Sequence, residues 1–177
     1  MIAIHKKVFH QLLLYLILVI GLTGCDAFSG IPKPPLSVLF AVENAGSRIS
    51  FKFDISKTDF YAIKLRYFCD KNLRDDVWKN IGGPVEDKSG KRVEPGAPII
   101  IRIRLVQESS TTDSGLIDKE FAAPKLHSWG DCEFDARLTY LKLAPGRYTL
   151  TAESLKDAPG LKEIRTELQI TKAYLGK

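Results

Sequence analysis

From Leu36 onward the apolar positions recur with a period of two. Leu36, Val38, Phe40 and Val42 alternate with smaller neighbours, and Ile49, Phe51, Phe53 and Ile55 alternate with Arg48, Ser50, Lys52 and Asp54. Successive side chains of a strand point to opposite faces, so this alternation marks strands with one face buried and one wet. Asn44-Ala45-Gly46 supplies a turn between the two runs. A third run joins Tyr61, Ile63, Leu65, Tyr67 and Cys69, and a fourth joins Ile99, Ile101, Ile103 and Leu105, opposed by Arg102 and Arg104. A weaker one covers Leu116 to Phe121. Phe134, Ala136, Leu138 and Tyr140 follow, then Tyr148, Leu150 and Ala152, then Ile164, Thr166, Leu168 and Ile170. About eight strands at this spacing, without long helical periods, predict an all-β antiparallel sandwich or barrel, a single domain over residues 36–177.

One excursion departs from the pattern. Between Asp70 and Ala97, Leu73, Val77 and Ile81 recur at helical spacing and Gly82-Gly83 forms a stop signal. The spacing predicts one short helical insertion capped by Asp70 or Asn72, followed by a loop from Pro84 to Gly96. Leu126 to Cys132 reads as a second loop. Farther on, Leu143-Ala144-Pro145-Gly146-Arg147-Tyr148-Thr149-Leu150 resembles the L-x-P-G-x-Y-x-L pattern between the final strands of many exported immunoglobulin-like and prealbumin-like modules. The resemblance implies a sandwich of one of those kinds. Pro145 and Gly146 would make the turn, and Tyr148 would pack at the sheet end with its hydroxyl in solvent or bonded to backbone. It carries no active residues.

The chain before Leu36 is of another kind. Met1 to His10 carries Lys6 and Lys7 and no acid, and Gln11 to Leu22 is nearly continuous hydrocarbon. That run is shorter than the ~20 apolar residues of an ordinary spanning helix and fits the apolar region of a secretory signal. Leu22-Thr23-Gly24-Cys25 follows it directly and resembles a bacterial lipobox. The resemblance implies a signal peptide over 1–24, cleavage before Cys25, and acylation of that cysteine with diacylglycerol and palmitate-like chains. Two or three such chains hold a protein firmly on a membrane. Asp26 leans the sorting toward the inner membrane. Residues 25–35 then read as a lipidated cysteine and tether, with Ser29-Gly30 flexible and Pro32-Lys33-Pro34-Pro35 extended.

Composition changes the picture little. The chain has 177 residues and a formal net charge of +5, of which Lys6 and Lys7 supply two, leaving a mild excess for the mature part. A nucleic-acid partner is not expected, and a mixed, solvated surface is. Three cysteines are present. Lipid consumes Cys25, and an oxidising compartment favours a disulfide between Cys69 and Cys132. A metal site using Cys132 with His127 and Asp131 is the sharper alternative, although no CxxC or HxxxH spacing supports it.

Candidate chemistry is sparse, and neither an enzyme nor a cofactor is expected. His127 stands beside Ser128, but sequence neighbours do not make a triad and no G-x-S-x-G elbow is present. Asp75-Asp76 and Glu86-Asp87 are adjacent acids of the kind usually found solvated. Aromatic loops are the better lead. Trp78 lies in the insertion and Trp129 in the Leu126–Cys132 loop, each near one of the paired cysteines. Trp78, His127, Trp129 and Asp131 are therefore expected to form one partner-binding rim, since tryptophans anchor many interfaces. Arg102 and Arg104 mark a second candidate surface.

With its lipobox, strand-rich body, paired cysteines and Pro-Gly-x-Tyr turn, the chain is similar to a family of small Gram-negative lipoproteins catalogued as a domain of unknown function. Some exported lipoproteins of this general kind are immunity proteins. The resemblance implies a membrane-anchored, periplasm-facing, non-enzymatic protein-binding module of the immunity or inhibitor type. A glycan- or small-ligand-binding envelope lipoprotein, using the tryptophans as sugar platforms, is the alternative.

Overall fold

The computed structural model describes residues 30–108 and 115–174. The expected signal peptide, Cys25 and Asp26 lie outside the described residues. From Pro32 onward the chain forms one compact unit.

Two antiparallel sheets share a single core. The first has β1 (Leu36–Leu39), β11 (Arg165–Lys172), β3 (Asp59–Phe68), β9 (Glu133–Leu143) and β8 (Leu126–Trp129) in that spatial order. The second has β2 (Arg48–Ile55), β10 (Gly146–Ser154), β6 (Ile100–Gln107) and β7 (Ile117–Ala122). The fold is thus the expected all-β sandwich. Its inner faces are the apolar phases read from the sequence. Ile63, Leu65, Tyr67, Phe134, Leu168 and Ile170 from one sheet join Phe53, Ile101, Ile103, Leu105, Tyr148 and Leu150 from the other. Phe53 stacks on Tyr148 across neighbouring strands at 5.6 Å. The outward phases are charged and compensated, as where Arg102 donates two hydrogen bonds to Asp118, at 2.7 and 2.9 Å.

The insertion differs from the expectation in three ways. A 3-10 turn, Lys71–Leu73, precedes the helix α1 (Arg74–Asn80); Asp70 stands at the cap position of the turn and Leu73 at that of the helix, neither with a side-chain bond, and Asn72 caps neither. Pro84 to Gly96 is not all loop, because β4 (Val85–Glu86) and β5 (Arg92–Val93) pair as a small hairpin. The segment read as a loop after Leu126 supplies β8 instead. The stop signal, by contrast, works as a Schellman end. Gly83 N–H donates to Trp78 O at 2.9 Å, Gly82 N–H donates to Lys79 O at 3.2 Å, and Gly82 takes φ +64°.

Tyr148 settles one open alternative of the Pro-Gly-x-Tyr turn. Its hydroxyl donates to the carbonyl of Ala144 at 2.7 Å, so the ring is buried and its polar tip bonded to backbone.

Candidate functional site

The strands bring the disulfide, the insertion and the β8–β9 turn to one end of the sandwich. Cys69 follows β3 and Cys132 precedes β9. They are joined by a disulfide with a Cα–Cα distance of 5.0 Å, and Cys69 N–H donates to Cys132 O at 3.2 Å. The bridge removes both thiols from the metal alternative. Among the described residues no three His, Cys, Asp or Glu side chains gather as a metal site.

The bridge places α1 beside the end of β8. Trp78 meets Trp129 edge to face, with ring centroids 5.4 Å apart, and also meets the core ring of Phe134 at 5.7 Å. Pairs of this geometry gain about 0.5–1.5 kcal/mol beyond their buried area. Arg74 lies over both Trp78 and Phe134, 5.8 and 5.7 Å from their centroids, and its Nε donates to the carbonyl of Asp131 at 2.9 Å. Trp78 Nε1 donates to Pro84 O at 3.2 Å, which ties the loop after the helix to the same ring. Trp78 is half-buried, whereas Trp129 is 45% exposed. The pair forms the apolar wall of a cleft of about 440 Å³ whose rim carries Arg74, Asp75, Glu86 and Arg92. On its other side Trp129 borders a second depression of about 530 Å³, lined also by Arg66, Ser128, Asp131 and Glu133.

A β-bulge decides which expected residues share this site. β8 pairs with β9 as Leu126↔Ala136, Ser128↔Asp135 and Trp129↔Phe134, so His127 is the extra residue. Strict alternation from the inward Leu126 would turn Trp129 outward. The extra residue reverses that phase and brings Trp129 to the side of Phe134 and Trp78. The same bulge removes His127 from the rim, which corrects the expectation. Its Nδ1–H donates to the carbonyl of Asp135 at 2.9 Å, and Ser128 Oγ donates to the Asp135 carboxylate at 3.3 Å. Lys64 and Arg66 bind that carboxylate as well, at 3.3 and 2.9 Å. Burial pushes the His127 imidazole below its ordinary pKa, against the favourable Asp135 carbonyl and with help from Lys64 and Arg137. Asp131 stays exposed, and its backbone carbonyl, not its side chain, holds Arg74. Trp78 and Trp129 thus share the cleft, Asp131 lines the neighbouring depression beside Trp129, and His127 lines neither.

Sequence reading missed Arg74, Arg92, Glu86 and Phe134 as parts of the site. Arg74 sits four residues before Trp78, the spacing that stacks two side chains on one helix face, and that signal was present. Nothing local announced the β4–β5 hairpin that brings Glu86 and Arg92. Arg102 and Arg104, the second candidate surface, border a shallow depression of about 200 Å³ with Arg48, Asp118 and Glu153 on the outer face of the four-stranded sheet.

Comparison with known proteins bears on the fold and the family. No curated protein matches the chain. A protein of Sulfurospirillum deleyianum, known from its crystal structure, superposes with a TM-score of 0.60 at 18% identity, covering 78% of this chain and 96% of that one. At that identity the likeness concerns the fold. A ruminal GH26 endo-β-1,4-mannanase aligns at 12% identity with a TM-score of 0.41, over 84% of this chain but 28% of the enzyme. The domain of unknown function DUF5625 matches residues 37–172. That stretch holds both tryptophans, the disulfide and the body of the sandwich, and the chain belongs to this family.

Proposed function

We propose that the protein is a membrane-anchored, periplasm-facing lipoprotein that binds a protein partner through the Trp78–Trp129 cleft, in the manner of an immunity or inhibitor protein, and catalyses no reaction. The lipobox-like Leu22-Thr23-Gly24-Cys25 supports the anchor. The single observation that carries the binding role is Trp129. A large aromatic ring is left 45% exposed on a rigid footing of Trp78, Phe134 and Arg74, beside a concavity with charges of both signs at its rim. A packed aromatic anchor ringed by polar groups is the usual anatomy of an interface hot spot. Both signs of charge around the anchor favour a polypeptide over a simple anion or cation.

The test is capture from envelope extract by the domain begun at Asp26. Trp129→Ala should lose the captured protein while keeping a cooperative sandwich fold, with a loss of at least about 2 kcal/mol in binding, or roughly thirtyfold in Kd. Equal capture by the wild type and the variant would remove the cleft from the interface.

One observation favours a second reading. Trp129 also flanks the larger depression, whose carboxylates and hydroxyl suit sugar hydroxyls. Quenching of tryptophan emission by envelope saccharides, with no protein retained, would favour glycan binding.

A further inference from the structure

Strands of both sheets run between two poles. At the first pole β2 ends at Ile55, β10 begins at Gly146, β6 ends at Gln107, β3 begins at Asp59 and β9 ends at Leu143. At the second lie Phe68, Glu133 and Trp129, with the disulfide and α1 beyond them. Pro32 sits at the first pole, where its carbonyl accepts a hydrogen bond from Asp54 N–H at 3.0 Å. The chain therefore enters the domain at the pole opposite the tryptophan cleft.

We infer that this polarity holds the cleft away from the bilayer, so that it meets a water-soluble protein arriving from the aqueous side. The inference rests on the anchored reading above. Its physical basis is a comparison of two lengths. The ten residues of β3 separate the poles by roughly 30 Å at ~3.3 Å per residue, and the cleft lies farther out. From Cys25 to Pro32 the backbone spans at most roughly 25 Å. An inverted domain would lift Pro32 beyond the reach of its own tether. The upright, cleft-down pose is thereby closed to an anchored chain.

The first pole also has the surface that lies well beside lipid. Tyr174 is 87% and Phe60 39% exposed there, joined through Ala173 N–H donating to Phe60 O at 2.8 Å. Such rings favour the headgroup level. Asp54, Asp59 and Glu108 at this pole are held by Arg147, Lys172 and Lys52, while Lys57 and Lys142 are exposed. Anionic headgroups would meet net positive charge from these residues.

The chain has two tryptophans, both at the cleft. The lipidated full-length protein, reconstituted in phosphatidylethanolamine–phosphatidylglycerol vesicles, can thus report its own orientation by energy transfer from tryptophan to acceptor-labelled headgroups. Tyr174→Trp adds a donor at the opposite pole on an exposed position. The expected result is little transfer from the native pair and a distinctly stronger component from residue 174. Transfer from the native pair equal to or above that of the added donor overturns the orientation and leaves the anchored reading intact. A chain that does not sediment with the vesicles overturns the anchor, and this inference with it.

Discussion

Two tyrosines show how one hydroxyl group sets the worth of a buried ring. Tyr67 and Tyr148 are both buried on inner faces. Tyr148 Oη donates to Ala144 O at 2.7 Å, whereas Tyr67 Oη has no hydrogen-bond partner among the described residues. Burial pushes the Tyr67 phenol far above its ordinary pKa, so it stays neutral at any physiological pH. A buried unpaired hydroxyl costs on the order of 1–3 kcal/mol, while a paired one contributes about 1 kcal/mol. Tyr67→Phe should therefore raise stability by about 1 kcal/mol, and Tyr148→Phe should lower it by a similar amount. Urea unfolding with an unchanged m-value would read both; a Tyr67→Phe variant less stable than the parent would show that the hydroxyl is satisfied. Alternation alone announced that both rings face inward. It could not say which hydroxyl finds a partner, since for Tyr148 that depends on the Pro145-Gly146 turn, which carries the Ala144 carbonyl to its ring tip.

At the scale of elements, the cleft depends on two local irregularities. One is the bulge at His127, which reverses the phase of β8 and sets Trp129 against Trp78. The other is the end of α1, where Gly83 lies against the Trp78 ring. A Cβ added at Gly83 would come within 2.3 Å of Trp78 Cε2, although its backbone is not in the left-handed region. Gly83→Ala should thus act through the ring and not through backbone strain. It should displace Trp78, change the near-ultraviolet circular dichroism of the tryptophans, cost about 1–3 kcal/mol and abolish partner capture. Unchanged tryptophan dichroism would mean that the ring yields without moving the site. The helix itself was legible, because Leu73, Val77 and Ile81 and the two glycines all point to it. Its missing side-chain cap and the strand at Leu126–Trp129 were not. Four residues with a bulge carry too little alternation to reveal a period, and a short edge strand takes its register from β9, which no local pattern encodes.

At the scale of the molecule, the sandwich separates a self-sufficient body from a stapled end. The body is held by long ladders, β3 with β9 and β11, and β10 with β2 and β6, closing over one apolar core. The end that carries α1, the β4–β5 hairpin and the β8–β9 turn has fewer strands to lean on, and the Cys69–Cys132 bridge crosses its base with a sequence separation of 63. A loop of that length loses enough unfolded-state freedom for the bridge to contribute about 4 kcal/mol in the chain-entropy model. Replacing both cysteines with serine should lower the unfolding free energy by about that amount. Far-ultraviolet dichroism should stay that of a β-sandwich, because no ladder of the body passes through the bridge. The discriminating measurement is where the loss is felt. Amide hydrogen exchange should quicken most at α1 and β8, with Trp129 emission shifting toward that of a solvated indole, while β3, β10 and β11 keep their protection up to the lowered global limit. Uniform loss of protection would show instead that the bridge stabilises the sandwich as one unit, and that the cleft has no separate dependence on it.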